Sequence, residues 1–384
     1  MISPAKVLFY LIELINCYAA VYYYNFLFFY LRHKFGFGEV ENLLTAALGG
    51  FVYIIASWQG GKLAQRYGCI KMIYMGLCGI ISSLTLGMAV TTATAQIIVL
   101  CLWTVGVCFI WPALETLISE RAGKSLPRMI GIYNITWATG SAIAFFTAGI
   151  LIEKLGVASL FWLPLGLAVV ELALLPCAAR LLKNESGSQD QEAPISTVSQ
   201  PNAEQFLRMA WIANPFSYVA INTVIPLIPS IAEKLDLSTG MAGIVCSLWM
   251  FARLAAFAAC WRWTDWHYRF SLLAGSFGLL IVCFFGFLLS QSIGLLLAAQ
   301  VGFGLSIGLI YYSSLYYSMN VTENHGSNAG IHEAMIGAGQ LIGPTFGAAT
   351  IYFVPTAIGI GVWSVGGLLL AGFSGMLMVR HYRV

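Results

Sequence analysis

Apolar runs of about twenty residues, separated by short charged or glycine-rich joints, recur along nearly the whole 384-residue chain. The runs lack the strict alternation of a half-buried strand, and at helical rise each is long enough to cross a bilayer's hydrocarbon core. Backbone surrounded by lipid must satisfy its own N–H and C=O groups, so such runs predict helices rather than barrel strands. Twelve spans are expected. They cover residues 5–31, 42–61, 70–90, 96–119, 129–152 and 160–182, then 206–231, 239–260, 270–289, 293–319, 327–353 and 356–379. One long polar stretch interrupts them, from Lys183 to Gln205, rich in Ser, Gln, Pro and acidic residues. It buries too little apolar surface to fold, and reads as a solvated tether. The expected division is therefore a six-helix bundle over 1–182, a linker over 183–205 and a second six-helix bundle over 206–384.

Composition agrees with this pattern. Hydrophobic residues make up 59% of the chain and charged residues 9%, against about 25% charged in soluble domains. The fold class expected is an all-α, multi-pass integral membrane protein. Charge then sets orientation, because lysine and arginine favour cytoplasmic loops. Of the 19 Lys and Arg, all but Arg253 fall in joints. Only Arg32, Lys34, Lys154 and Lys234 lie on the side opposite the tether and the two termini. Both ends are thus expected in the cytoplasm, and the protein in the plasma (inner) membrane. The nine cysteines form no CxxC pair and sit mostly within apolar runs, as small apolar side chains do. No phosphate loop, nucleophile–base pair or metal-ligand cluster is present, so neither an enzyme nor a metal or cofactor site is expected. Nucleic acid is excluded as a partner.

The two halves look duplicated. A shift of 199 lays residues 131–143 on 330–342, matching Gly131, Ile132, Gly140 and Ile143 with Gly330, Ile331, Gly339 and Ile342. A shift of 200 lays the joint after the second span on the joint after the eighth. The first of these joints carries Gly61, Leu63, Ala64, Arg66 and Gly68, with Gln65 at a position where the related pattern is acidic. Its later counterpart keeps Asp265 and Arg269. Glycines let a tight two-helix joint approach its neighbours, and cations hold it at the cytoplasmic face. With twelve spans around it, this G-x-L-A-x-R-x-G joint resembles that of the major facilitator superfamily over the whole chain. The resemblance implies two six-helix halves rocking about a central site, with Gly61, Gln65, Arg66, Gly68, Asp265 and Arg269 as gating joints. A glycine series typical of the family's antiporters is half present around Gly140 and Gly149, and nearer complete at Gly339, Gly343, Pro344 and Gly347. Close helix packing explains it without implying export.

Five charged residues fall inside spans: Glu13, Glu115, Glu171, Arg253 and Glu333. Charge in a bilayer is expensive, so each is expected to face inward and to be paired or functional. Glu115, Glu333, Arg253 and Glu13 lie roughly 7–12 Å inside the inner boundary, with Glu171 deeper. Their shared level, together with the resemblance, which implies that the eighth and eleventh spans lie side by side, pairs Arg253 with Glu333, as a structural ion pair or as a substrate ligand. His332 points away from Glu333, either packed or relaying protons. A carboxylate in low dielectric can exchange protons near neutral pH, which makes Glu13 and Glu115, with His332 and Glu333, the proton-coupling candidates. Glu171 reads more as a packing residue. The alternative for each is a hydrogen-bonded packing role.

Uncharged polar and aromatic positions supply the candidate substrate site: Asn16 and Tyr24 on the first span, Trp111 on the fourth, and Asn134, Trp137 and Ser141 on the fifth. The second half adds Tyr218, Asn222, Trp249, Arg253, Tyr312, Ser313, Tyr317 and Gln340. Pro226 and Pro229 could break the seventh span and let it flex. Aromatic clusters at Tyr22–Tyr24, Phe28–Tyr30 and Trp261–Trp266 read as interface belts. Converging amides, phenols and rings suit a small organic solute. The expected activity is secondary transport of such a solute by a monomer in the lipid bilayer, coupled to protons. An exporter of amphipathic compounds, a lipid translocator or a non-transporting sensor on this scaffold are the alternatives.

Overall fold

The computed structural model describes residues 3–119, 126–186, 202–321, 325–355 and 359–381. Thirteen helices account for nearly all of these. They are α1 (Pro4–Phe35), α2 (Glu39–Tyr67), α3 (Cys69–Ala89), α4 (Ala93–Ser119), α5 (Leu126–Leu155), α6 (Ser159–Ser186) and α7 (Ala203–Lys234). α8 (Thr239–Cys246), α9 (Leu248–Arg262), α10 (Phe270–Leu289), α11 (Ile293–Val321), α12 (His325–Phe353) and α13 (Ile360–His381) complete the chain. Eleven stretches among the described residues are long and apolar enough to cross a membrane, with α8 and α9 together forming one. Most of the helices outrun the apolar windows that predict them, because polar ends outside hydrocarbon still extend a helix. Much of the tether (187–201) and the joint cations Arg121, Lys124 and Arg383 lie outside the described residues.

Local chemistry sets the ends. The Ser3 hydroxyl accepts the Lys6 N–H at 3.4 Å ahead of Pro4, and Gly36 closes α1 with φ 71°. Between α2 and α3 the chain turns on Gly68 at φ 90°, a conformation that favours glycine. The motif's second glycine is therefore a backbone requirement.

Within the first half, α1 packs on α5 and α6, α3 on α4 and α6, and α2 on α4. Within the second, α7 packs on α11, α12 and α13, α9 on α11, and α10 on α11 and α13. Two seams join the halves: α2 against α12, and α5 against α8 and α9. The internal repeat is visible in glycine contacts. Gly140 of α5 sits over the Leu14 carbonyl of α1, and its counterpart Gly339 of α12 sits over the Pro215 carbonyl of α7. A β-carbon at either would run into backbone, so the glycine series serves close packing. Large apolar side chains such as Val282, Trp363 and Met378 are exposed on the outside, as a lipid-facing surface requires.

Four expectations need correction. α7 stays helical through Pro215, Pro226 and Pro229, so the prolines do not break it. The eighth span is instead the broken one, interrupted at Ser247 between α8 and α9. Tyr22, Tyr23, Phe28 and Trp266 are buried rather than set in an interfacial belt, whereas Trp263 is exposed. The eighth and eleventh spans do not lie side by side, since α9 packs on α11 and α5 while α12 packs on α2 and α7.

Candidate functional site

A cavity of about 160 Å³ lies where the two seams meet. Its walls come from α1, α2, α4 and α5 on one side and from α7, α9, α11 and α12 on the other. Among the candidates, Glu13, Tyr24, Trp111, Trp137, Ser141, Tyr218, Asn222, Trp249, Arg253, Glu333 and Gln340 line it. Both halves contribute.

The break at Ser247 helps to build this wall. Interrupting a helix leaves backbone groups without partners, and α11 supplies them. The Gln300 amide donates to the Val245 carbonyl at 2.9 Å and accepts the Trp249 N–H at 3.4 Å. Irregular backbone at membrane depth is tolerated where protein satisfies it. Trp249, Met250 and Arg253, just past the break, all face the cavity.

Arg253 is 3% exposed and, contrary to the depth argument, makes no ion pair with Glu333. Its Nη2 donates to the Tyr218 hydroxyl at 3.1 Å. Its guanidinium carbon lies 4.5 Å from the Trp137 ring centre and 4.9 Å from that of Tyr311. Depth gives the level of a side chain but not its direction, and here the two directions diverge. Glu333 instead accepts a hydrogen bond from Tyr53 of α2. Across the same seam stands Glu115 of α4. Its carboxyl, the Glu333 carboxyl and a His332 ring nitrogen all lie within 4.8 Å of one another. Glu115 and His332 sit behind the lining rather than in it. The His332 Nδ1 is 3.3 Å from the Ser314 hydroxyl, while its Nε2 is buried without a partner. On α1, Glu13 accepts from the Cys17 thiol at 3.3 Å.

The remaining candidates lie elsewhere. Asn16 donates to Glu171 of α6 at 3.2 Å, so Glu171 faces α1 and belongs to the interior of the first half. Asn134 accepts the Trp137 indole N–H at 3.1 Å and orients that ring. Tyr317 accepts the Tyr268 N–H at 2.9 Å, and Tyr312 packs edge-on against Trp266. Both brace the joint before α10 instead of facing solute. Ser313 is buried outside the cavity lining. Of the gating-joint residues, Asp265 and Arg269 form an exposed pair at 3.9 Å. Arg66 lies over the Tyr67 ring at 5.3 Å. Gly61 is buried on α2, and Gln65 is exposed.

Sequence reasoning missed Asn25, Tyr53, Trp103, Tyr133 and Tyr311, all of which line the cavity. One of them was within reach. A shift of 200, the offset already given by the joints, carries Tyr53 onto Arg253.

Eleven membrane-length helical stretches among the described residues, set around a cavity lined from both halves, fit a membrane transporter. The family model described as Major Facilitator Superfamily matches residues 9–344, and the chain belongs to that superfamily. No curated protein sequence matches the chain. Among solved structures, the human organic anion transporter MFSD10 (TETRAN) is similar with a TM-score of 0.69 at 12% identity, covering 98% of this chain and 100% of that one. The nucleoside transporter NupG is similar with a TM-score of 0.72 at 12% identity, covering 99% of this chain and 100% of that one. At such identities the likeness is one of fold.

Proposed function

We propose that the chain is a proton-coupled secondary carrier of a small organic solute. In this reading residues 1–182 and 206–384 rock about the cavity, 183–205 tethers them in the cytoplasm, and a single copy works in the plasma membrane. The observation that carries it is the acidic group at the seam. Glu13 and Glu333 line the cavity, Glu115 stands behind Glu333, and among the described residues no cation lies within 4.0 Å of any of them. Buried carboxyls in contact cannot all be ionised. A proton shared between Glu115 and Glu333 relieves the repulsion, and its loss restores it. Because the two belong to different halves, protonation bears directly on whether the seam stays closed. The same donors, with His332, could hold a larger cation, but a proton needs no further ligands.

Solute and proton thus meet in one place, as coupling requires. The opposite end carries its own link between halves, an ion pair of Arg32 with Glu233 backed by the Ser230 hydroxyl at 3.3 Å. Positive-inside topology would put that link on the outer face. The decisive test is uptake into proteoliposomes of a solute found by thermal-shift screening, with and without an acid-outside pH gradient. Gradient-driven accumulation in the native protein, lost in Glu115→Gln, is expected. Uptake indifferent both to the gradient and to Glu115→Gln refutes proton coupling.

A further inference from the structure

We infer that the solute is an organic monoanion, a carboxylate on a single-ring or similarly compact apolar body, and that Arg253 binds its charge. This deepens the carrier reading and rests on it. Arg253 is a buried cation that no carboxylate among the described residues neutralises. Among the described residues its only hydrogen-bond partner is the Tyr218 hydroxyl. Buried charges are ordinarily paired, and this one is held only by a neutral phenol and by ring faces from Trp137, Tyr218, Phe257 and Tyr311. Those contacts steady a cation without satisfying its fork of N–H donors. The group lines the cavity, so the missing partner has room to arrive there.

The placement is specific. A planar guanidinium fork matches a carboxylate in two parallel hydrogen bonds. Around it, the rings of Trp137, Tyr218 and Tyr311 present apolar faces to whatever the carboxylate carries. The volume of about 160 Å³ is close to the roughly 150 Å³ of an engineered cavity that takes up benzene, so one ring fills it. Glu13 and Glu333 on the cavity wall disfavour a second negative charge on the solute. A zwitterion would instead place its ammonium toward these carboxyls, and the two classes are separable by experiment.

Binding to the purified full-length protein is measured by calorimetry and thermal shift with four single-ring probes: benzoate, benzamide, benzylamine and phenylalanine. Benzoate is expected to bind at least ten-fold more tightly than each of the others. Arg253→Gln should reduce its preference over benzamide to less than three-fold, while Arg253→Lys retains part of it. The ranking of probes on the native protein requires no variant, so it decides the matter even if Arg253→Gln does not fold. The inference is overturned if benzamide or benzylamine matches benzoate or if Arg253→Gln keeps the preference. It is equally overturned if phenylalanine binds more tightly than benzoate, or if none of the four binds. Proton-driven uptake of a neutral or cationic solute would also overturn it while leaving the carrier reading intact. Arg253-dependent benzoate binding to a protein that transports nothing would do the reverse.

Discussion

The two seams between the halves are related by the internal repeat, yet they carry opposite chemistry. At α2–α12, Tyr53 donates to Glu333, and Glu115 stands close behind. At α5–α8/α9, the position equivalent to Tyr53 is Arg253, and it stacks on Trp137, three residues from the Glu333 equivalent Asn134. The backbone devices are shared. Gly50 faces the backbone of Gln340 and Leu341 across the first seam, and Gly149 faces the Thr239 carbonyl across the second. The helices are not identical, however. α2 runs unbroken past Leu100, while its counterpart breaks at Ser247 and is stitched by Gln300, the residue equivalent to Leu100. Glycines at both seams bring backbone against backbone, while the charge differs: carboxyls gather at one seam and a guanidinium stands at the other.

The shared part of the comparison is broken most severely at the glycines. Gly50→Leu and Gly149→Leu each drive a side chain into facing backbone, and a loss of about 3 kcal/mol or more is expected. Loss of monodisperse protein in detergent is the readout, and equal damage at both seams is the expected pattern. The divergent part is tested next. Glu333→Gln should lower pH-driven uptake by about 100-fold, whereas Asn134→Ala at the equivalent position, which frees the Trp137 ring, should weaken solute affinity and leave the pH dependence of uptake unchanged. Loss of the pH dependence at both would erase the asymmetry.

Smaller effects sharpen the picture. Gln300→Leu strands the Val245 carbonyl and the Trp249 N–H, and about 1–3 kcal/mol of stability should be lost in thermal unfolding. Leu100→Gln should also destabilise, because unbroken α2 offers its amide no free backbone partners. The joint before α10 gives the smallest signal. His267 is pressed between Trp266 and Tyr316, at 4.2 Å from each ring centre, and burial pushes its pKa down to about 4. The unfolded chain therefore binds this proton more readily, so the contribution is present above about pH 6.5 and is lost as pH falls toward 4. Between pH 7 and pH 5 the melting temperature of the native protein should fall, and His267→Phe should make that fall shallower.

Much of the scaffold was legible because bilayer thickness forces long apolar runs, and their ends fall within a few residues of the helix ends. The Gly140 and Gly339 series was legible for a similar reason, since close approach demands glycine in any neighbourhood. The site was less so. Glu13, Glu115, Glu333 and Arg253 announced themselves as charge in an apolar run, but depth and the resemblance paired Arg253 with the wrong partner, because only packing tells which helices are neighbours. On α11 the wrong face was favoured. Tyr312 and Tyr317 brace a joint, while Tyr311, about 100° around the helix from Tyr312, faces the cavity. Tyr53 carries no charge to mark it out in an apolar run, and only the 200-residue repeat, which lays it on Arg253, points to it.

The most direct measurement is of the proton itself. A transported solute, identified by screening, is added to proteoliposomes in a weakly buffered medium with no imposed gradient, and external pH is followed. Entry of solute with protons predicts a transient rise in external pH for the native protein and none for Glu115→Gln combined with Glu333→Gln. A medium that stays flat while the native protein takes up solute, or a rise of equal size in the double variant, would contradict the account.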